Sequence, residues 1–318
     1  MDRKVVIETK QLKKYFPTKE GNLHAVDNVN VKIYEGQTLG VVGESGCGKS
    51  TLGRTILNLL PATSGEVLFN GENIVGCSSR KFRELRKSLQ IIFQDPYASL
   101  NPRMTVSEII SEPIIYNKIA KDENEAYRKT LELMDKVGIA KRLTHSYPHE
   151  LDGGRRQRIG IARALALNPQ FIVCDEPVSA LDVSIQAQVL NLLQDLQKDL
   201  NLTYMFITHD LSVVRYISDQ IAVMYLGQVV EYGNSEEIFN NPLHPYTKAL
   251  LSAIPSIDID KPVQREVIRG EISSPINPKP GCRFASRCKN ATPACMGEDI
   301  TLKEVTENHY VQCNLFRN

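Results

Sequence analysis

Gly43-Glu44-Ser45-Gly46-Cys47-Gly48-Lys49-Ser50-Thr51 is the stretch on which the reading of this chain turns. It has the form G-x-x-x-x-G-K-[ST], with the apolar run Thr38–Val42 before it and a helix-like run, residues 52–60, after it. Strand, loop and helix in that order make a phosphate cradle. The glycines let the backbone turn tightly and aim its N–H groups inward, and the helix adds its positive N-terminal end. All nine residues are candidate nucleotide contacts: Lys49 would reach the β- and γ-phosphates and the Ser50 hydroxyl would hold Mg²⁺. Without Lys49 and Ser50 the same stretch would read as an ordinary glycine-rich turn. Cys47 stands where only a small residue is needed and reads as a reduced bystander.

Upstream, residues 4–42 alternate short β-rich runs (5–8, 29–34, 38–42) with turns at 19–22 and 35–37, a small antiparallel layer feeding the strand that carries the loop. Phe16 either offers an aromatic face to a nucleotide base or belongs to the core. Downstream, 64–71 reads as a strand ending in the turn pair Asn70-Gly71, 78–87 as a charged amphipathic helix, and 89–93 as a buried strand ending at Gln94. Two prolines make 95–103 irregular, and from 106 to 151 the pattern is helical (108–119, 123–137), an insertion into a sheet domain.

Another helix opens at 151–158 with Asp152 suited to cap it, and runs to 167. The strand 171–174 ends in Asp175-Glu176-Pro177, a turn follows at 179–182, a long helix at 184–200, and a strand at 203–207 ending Thr208-His209-Asp210. Strands alternating with helices predict a largely parallel sheet covered on both faces. Gln94, Asp175, Glu176 and His209 all fall just past strand C-termini, where such sheets bind ligands. After a further helix come strands at 220–225 and 229–231 and helices near 235–239 and 246–253. The composition then turns Pro-rich and irregular (Pro262, Pro275, Pro278, Pro280), placing a boundary near residue 256 and dividing the chain into 1–255 and 256–318.

The 318 residues suffice for one large α/β domain with an appendage, or for two domains. With 42% hydrophobic and 24% charged residues the composition is that of an ordinary globular protein, and a net charge of +1 gives no general argument for nucleic acid. Met1-Asp2-Arg3-Lys4 leads into a strand-like run without a signal-peptide core. No stretch approaches the roughly 18 apolar residues of a membrane span, so any transport role must be shared with other chains.

The whole set of motifs resembles the ATP-binding cassettes of ABC transporters over residues 4–255. It comprises the Walker A loop at 43–51, a Q-loop at Gln94, a signature-like Leu151-Asp152-Gly153-Gly154, a Walker B at 171–176, a D-loop at 179–182 ending in Asp182, and a switch histidine, His209. The segment Phe93-Gln94-Asp95-Pro96-Tyr97-Ala98-Ser99-Leu100-Asn101-Pro102-Arg103, the later Asn241-Pro242-Leu243-His244-Pro245-Tyr246-Thr247 and the cysteine tail narrow the resemblance to oligopeptide/dipeptide importer ATPases, F-type rather than D-type. The implied fold is an α/β P-loop cassette with a mainly parallel core sheet, an antiparallel layer, a helical subdomain at about 95–165 and a small irregular Cys-rich C-terminal domain.

The resemblance also implies roles. Asp175 would bind Mg²⁺ through water, with Ser50 and Gln94 as further Mg²⁺ ligands. Glu176 would be the general base, His209 would hold the γ-phosphate, and Phe16 would stack on the adenine. Each ATP would lie between one Walker A and the signature of a second ATPase subunit. The helical insertion and residues 94–103 would grip two transmembrane subunits at the cytoplasmic face of the membrane, served indirectly by an extracellular binding protein.

One departure stands out. Asp152 replaces the signature serine, and Arg155 the glutamine after the two glycines. An ionised carboxylate cannot donate to a phosphate and would repel it by roughly 4 kcal/mol at 4 Å and an effective dielectric of 20. Either Asp152 is a helix cap turned aside, leaving the Gly153 and Gly154 N–H groups to act, or the site that uses this signature is weakened, in a heterodimer with unequal sites.

Cys282-x5-Cys288-x6-Cys295-x17-Cys313 brings four thiols into a short, Pro-rich tail. The lack of a tight C-x2-C pair argues against zinc, and four thiolates suit a [4Fe–4S] cluster, which the resemblance also implies. Zn²⁺ and four plain reduced cysteines are the alternatives. A soluble non-transport ABC ATPase is the competing function, but the chain has one cassette and no heptad insertion. A nucleic-acid module in the tail lacks the basic and aromatic interleaving it would need. The cargo stays open, with nickel or sugar possible beside peptide.

Overall fold

The computed structural model describes residues 4–254, 268, 270, 271 and 273–316; the boundary near 256 and Pro262 lie outside the described residues. The chain forms two compact units. One joins the stretch up to Gly76 to the stretch from Phe206 onward, and the other is Cys77–Met205.

The first unit starts with β1 (Val5–Thr18) and β2 (Gly21–Val29), a hairpin closed where Thr18 faces Gly21. The run 29–34 is not one strand: β3 (Lys32–Tyr34) is separate, because buried Thr9 interrupts the ladder. Its hydroxyl donates to the Val29 carbonyl and accepts from the Val31 N–H, both at 3.0 Å. Next come β4 (Thr38–Val42), buried throughout, and α1 (Lys49–Ile56). This helix stops short of residue 60, where Asn58 takes a left-handed φ of 50°. β5 (Ser64–Phe69) and β6 (Glu72–Asn73) flank Asn70-Gly71, whose φ values of 49° and 83° are those of a hairpin turn. The order β2-β1-β5-β6, with β3 also on β1, is the expected antiparallel layer.

The second unit holds α2 (Ser79–Ser88) and β7 (Leu89–Ile92). The segment 95–103 is not wholly irregular: α3 (Pro96–Ser99) forms one turn, with Pro96 at its first position and Asp95 capping the Tyr97 and Ala98 N–H groups. Proline costs nothing there, since that N–H has no helical partner anyway. α4 (Val106–Tyr116), α5 (Glu123–Lys136) and α6 (Gly153–Leu165) are each opened by a side-chain cap, from Thr105, Asp122 and Asp152. Ile114, Ala126 and Ala166 close a small core among them. β8 (Phe171–Asp175) pairs parallel with β7, α7 (Val183–Leu200) follows, and the chain leaves this unit within β9 (Thr203–Ile207), after Met205.

Back in the first unit lie α8 (Leu211–Ile217), β10 (Gln220–Tyr225), β11 (Gln228–Asn234), α9 (Ser235–Asn240), α10 (Pro245–Ser252), β12 (Lys303–Thr306) and β13 (His309–Val311). β10 runs parallel to β4, but β10–β11, β11–β13 and β13–β12 are all antiparallel. The mainly parallel sheet read from the sequence is therefore a mixed one. The cause is local: β10 turns straight back into β11 through Leu226-Gly227, with φ of 42° and 83°, and a two-residue turn permits only antiparallel pairing.

The tail is not a free-standing irregular piece either. β13 extends the sheet, and Phe284 packs with Tyr225, Tyr246, Val42 and Val230 in the core of this unit. Burying such a ring contributes about 2–3 kcal/mol. Among the described residues no helix is long and apolar enough to cross a membrane.

Candidate active site

Buried β4 delivers the chain to the phosphate loop. Gly43, Gly46 and Gly48 adopt φ of 151°, 78° and 107°. At Gly48 a Cβ would lie 2.0 Å from the Ala25 carbonyl oxygen, so glycine is required by space as well as by torsion. Gly48 precedes α1 without any side-chain cap, which leaves the first-turn N–H groups to an anion. Lys49 is buried, and its Nζ donates to the Gly43 and Glu44 carbonyls at 2.8 and 3.0 Å. Ser45 and Gly46 are exposed at the tip, and Ser50 and Thr51 are half-buried on the first turn of α1. Cys47 is buried, and burial pushes its thiol up, in keeping with an inert bystander.

His209 is exposed beside this loop's strand: the Thr208 N–H donates to the Val41 carbonyl at 3.2 Å, and Asp210 caps α8. Phe16 is half-buried, with the Lys14 ammonium 4.8 Å from its ring centre. Its neighbour Tyr15 is engaged on the other face of β1, stacked on His24 at 3.8 Å and donating to Asp27 at 2.5 Å.

In the second unit β8 ends at buried Asp175, and Glu176 follows with a left-handed φ of 47°. The Ser179 N–H and hydroxyl both donate to the Glu176 carbonyl, at 3.3 and 3.1 Å. The Gln94 amide donates to the Glu176 carboxylate at 2.9 Å. Asp182 is exposed at the start of α7. Asp152 accepts from the Arg155 N–H at 2.8 Å and meets the Arg155 guanidinium at 3.4 Å. The structure therefore favours the helix-cap reading of Asp152. A Cβ on Gly153 or Gly154 would approach Leu181 or Ile185 to 3.1 or 2.6 Å, so these glycines allow α6 to lie close against the start of α7.

Among the described residues no three His, Cys, Asp or Glu side chains group as ligands for an ion. Cys282 and Cys288 instead pack against the Tyr225–Tyr246–Phe284 cluster, and the Cys295 thiol lies 3.6 Å from the Thr292 hydroxyl. A Cys₄ cluster needs four thiolates brought together, and the four tail thiols do lie within electrostatic reach of one another: Cys313, Cys295 and Cys288 all act on Cys282, and Cys288 and Cys295 on Cys313. The tail is also held by its strand pairing, by Phe284 and by two arginines that sequence reasoning missed. Arg283 binds the Asp27 carboxylate and the Leu226 carbonyl, and Arg287 binds the Glu44 carboxylate. Burial works to raise Asp27, but hydrogen bonds from Tyr15 and His24 and the Arg283 charge outweigh it and hold that carboxyl low. Mg²⁺ makes a different demand. It takes one or two side-chain oxygens and completes its shell with water and phosphate, and the Ser50 hydroxyl and Asp175 carboxylate are donors of that kind.

Residues 26–179 match the family profile described as ABC transporter. The dimeric structure of a post-hydrolysis state of the ATP-binding cassette MJ0796 bound to ADP and Pi superimposes with a TM-score of 0.66 at 30% identity, covering 72% of this chain and 98% of that one. The cbiO1 protein of Clostridium perfringens, part of the ABC transporter complex cbiONQ, does so with a TM-score of 0.67 at 28% identity, covering 75% and 92%. Phosphate loop, acidic strand end and signature helix on this fold define an ABC-type ATPase cassette.

Residues 230–295 match a second profile, oligopeptide/dipeptide transporter, C-terminal region. The oligopeptide transport ATP-binding protein AppF of Bacillus subtilis is 50% identical over 99% of this chain and 98% of its own length. Its counterparts named OppF in Salmonella typhimurium and Bacillus subtilis are 50% and 52% identical over 98% and 97% of this chain, and over 96% of each of them. The chain belongs to this family, the ATP-binding subunits of oligopeptide ABC transporters, and is the ATPase subunit of an oligopeptide/dipeptide import system.

Proposed function

We propose that this chain binds MgATP on residues 43–51 and hydrolyses it with Glu176 as general base, as one of two non-identical cassettes on the cytoplasmic face of two membrane-spanning subunits. Lys49, waiting on the carbonyls of its own loop, would exchange them for the β- and γ-phosphate oxygens. The water oxygen attacks the γ-phosphorus, the bond to the β–γ bridging oxygen breaks, and its electron pair leaves with ADP. The water proton passes to Glu176 and then to the phosphate product. His209 would hold the γ-phosphate and orient the water. Mg²⁺ would neutralise the phosphate charge, held through Ser50, Asp175 and Gln94. Phe16 would stack on the adenine.

The hydrogen bond from Gln94 to Glu176 carries the catalytic assignment, because it ties a neutral donor to the carboxylate that must take the proton. The same residue starts the segment leading to a groove of about 410 Å³ lined by Phe93, Glu112, Tyr116 and Arg163, where a cytoplasmic helix of a membrane subunit would dock. With Asp152 turned onto its own helix, the Gly153 and Gly154 N–H groups would face the partner's nucleotide, and a different second cassette with a hydroxyl at that place would supply the donor for the ATP held here. Peptide choice would then rest with the membrane subunits and an extracellular binding protein.

Glu176→Gln tests the assignment. Steady-state hydrolysis by the assembled transporter should fall by about 10²- to 10⁴-fold while MgATP still binds. Hydrolysis within tenfold of wild type would remove Glu176 from the role.

A further inference from the structure

We infer that Arg287, in the C-terminal tail, is a positioning residue for nucleotide binding that acts through Glu44 of the phosphate loop; this rests on reading residues 43–51 as the ATP site. A loop that receives a polyphosphate is a poor place for a carboxylate, yet its second residue is Glu44. Arg287 meets that carboxylate as a fork. Nη1 donates to Oε2 at 2.9 Å and to Oε1 at 3.2 Å, and Nη2 donates to Oε1 at 3.2 Å. The two side chains are only 9% and 24% exposed, so the pair is little screened by solvent.

The pair is itself held. Arg287 Nη1 also donates to the Tyr225 hydroxyl at 3.2 Å, and the Glu44 N–H donates to the Tyr246 hydroxyl at 2.9 Å. The Glu44 carbonyl receives the Lys49 ammonium at 3.0 Å. Glu44 is therefore fixed at its N–H, its carbonyl and its carboxylate, and its charge is neutralised by the Arg287 fork. Attaching the tail does not require Arg287, because Phe284, β13 and Arg283 anchor it independently. What Arg287 alone does is neutralise a negative charge in the anion cradle and fix its position.

The test is MgATP titration of the purified full-length chain by calorimetry, followed by kcat and KM for ATP in the assembled transporter. Arg287→Met should weaken MgATP binding roughly tenfold, the effect of releasing one carboxylate charge beside the phosphates. KM should rise to match, with kcat at saturating ATP within about twofold. Adding Glu44→Gln to that variant should recover most of the lost affinity, which a purely structural defect would not allow. Arg287→Lys, which keeps the charge but loses the fork, should lose less affinity than Arg287→Met does. If the Met variant does not stay folded, Arg287→Gln, which keeps a donor but no charge, gives the same readout. An unchanged Kd, or a loss that Glu44→Gln does not relieve, overturns the inference. Absence of MgATP binding by the wild-type chain would instead overturn the ATP-site reading itself.

Discussion

The Gln94 amide holds the carboxylate of Glu176 at 2.9 Å, and Glu176 itself sits in the left-handed region with φ of 47°. A non-glycine residue in that region costs on the order of 1 kcal/mol and persists only where its surroundings impose it. Here Ser179 imposes it, through two donors on the Glu176 carbonyl. The backbone points the carboxylate and Gln94 fixes its position.

Removing that donor should therefore act on chemistry more than on binding. Gln94→Ala is expected to lower kcat of the assembled transporter by about tenfold or more, since a misplaced base loses rate steeply with distance. MgATP affinity should change less than kcat. The check is a pair of measurements, steady-state ATPase and MgATP titration; a variant that loses affinity alone would show Gln94 acting on the nucleotide and not on Glu176.

Asp152 gives a second prediction, in which stability and activity separate. Its carboxylate accepts the Arg155 N–H at 2.8 Å, which satisfies one of the orphan donors of α6. Asp152→Ala should cost about 1 kcal/mol in urea unfolding, whereas Asp152→Ser keeps a cap and should cost less than about half of that. With the carboxylate turned onto its own helix, Asp152→Ser should leave transporter ATPase within about threefold. A tenfold rise would mean that the carboxylate had been repelling the partner's nucleotide after all.

How much of this was legible in the sequence follows from the range of each interaction. The phosphate loop, Asp152 as cap and the Asn70-Gly71 turn are local patterns, and each was found where its pattern lies. The one-turn helix at Pro96–Ser99 was hidden because proline was read as a breaker, when at the first position of a helix it is tolerated. The antiparallel half of the mixed sheet depended on Leu226-Gly227, too brief a signal to separate from an ordinary loop. Arg287 on Glu44 and His309 on Glu231 join residues far apart in the chain, and no periodicity announces such a pair. The cysteine spacing is a sequence signal for a metal staple, whereas the packing around Phe284 and the two arginine pairs that also hold the tail leave no such signal.

Gly48→Ala should be among the most damaging single-methyl changes in the loop. The new Cβ would meet the Ala25 carbonyl oxygen at 2.0 Å, a backbone atom that cannot swing away, and the φ of 107° is strained for any L-residue. We expect loss of measurable MgATP binding together with a destabilisation of about 1–3 kcal/mol. Thermal unfolding and titration check the two parts separately.

The last prediction concerns acid. His244 is buried and caps α10, its Nδ1 accepting the Tyr246 N–H at 3.1 Å. Beside it Glu231 accepts the Leu243 and His244 N–H groups at 2.7 and 2.9 Å and pairs with His309 at 2.8 Å. Burial pushes His244 down to about 4 from 6.5, although the nearby Glu231 charge works the other way. The folded protein thus keeps His244 neutral, while the unfolded chain takes up a proton as pH falls below about 6.5. This contribution to stability is whole above pH 6.5, declines between about 6.5 and 4, and is exhausted below, for a total of about 3 kcal/mol. Protonation at Nδ1 would also remove the acceptor that caps the helix. His244→Asn keeps a capping oxygen and cannot titrate. Between pH 7.5 and pH 5.0 the wild-type chain should therefore lose about 2 kcal/mol more in urea unfolding than this variant does. Equal losses in the two would show that His244 is not the group whose burial makes the fold acid-sensitive.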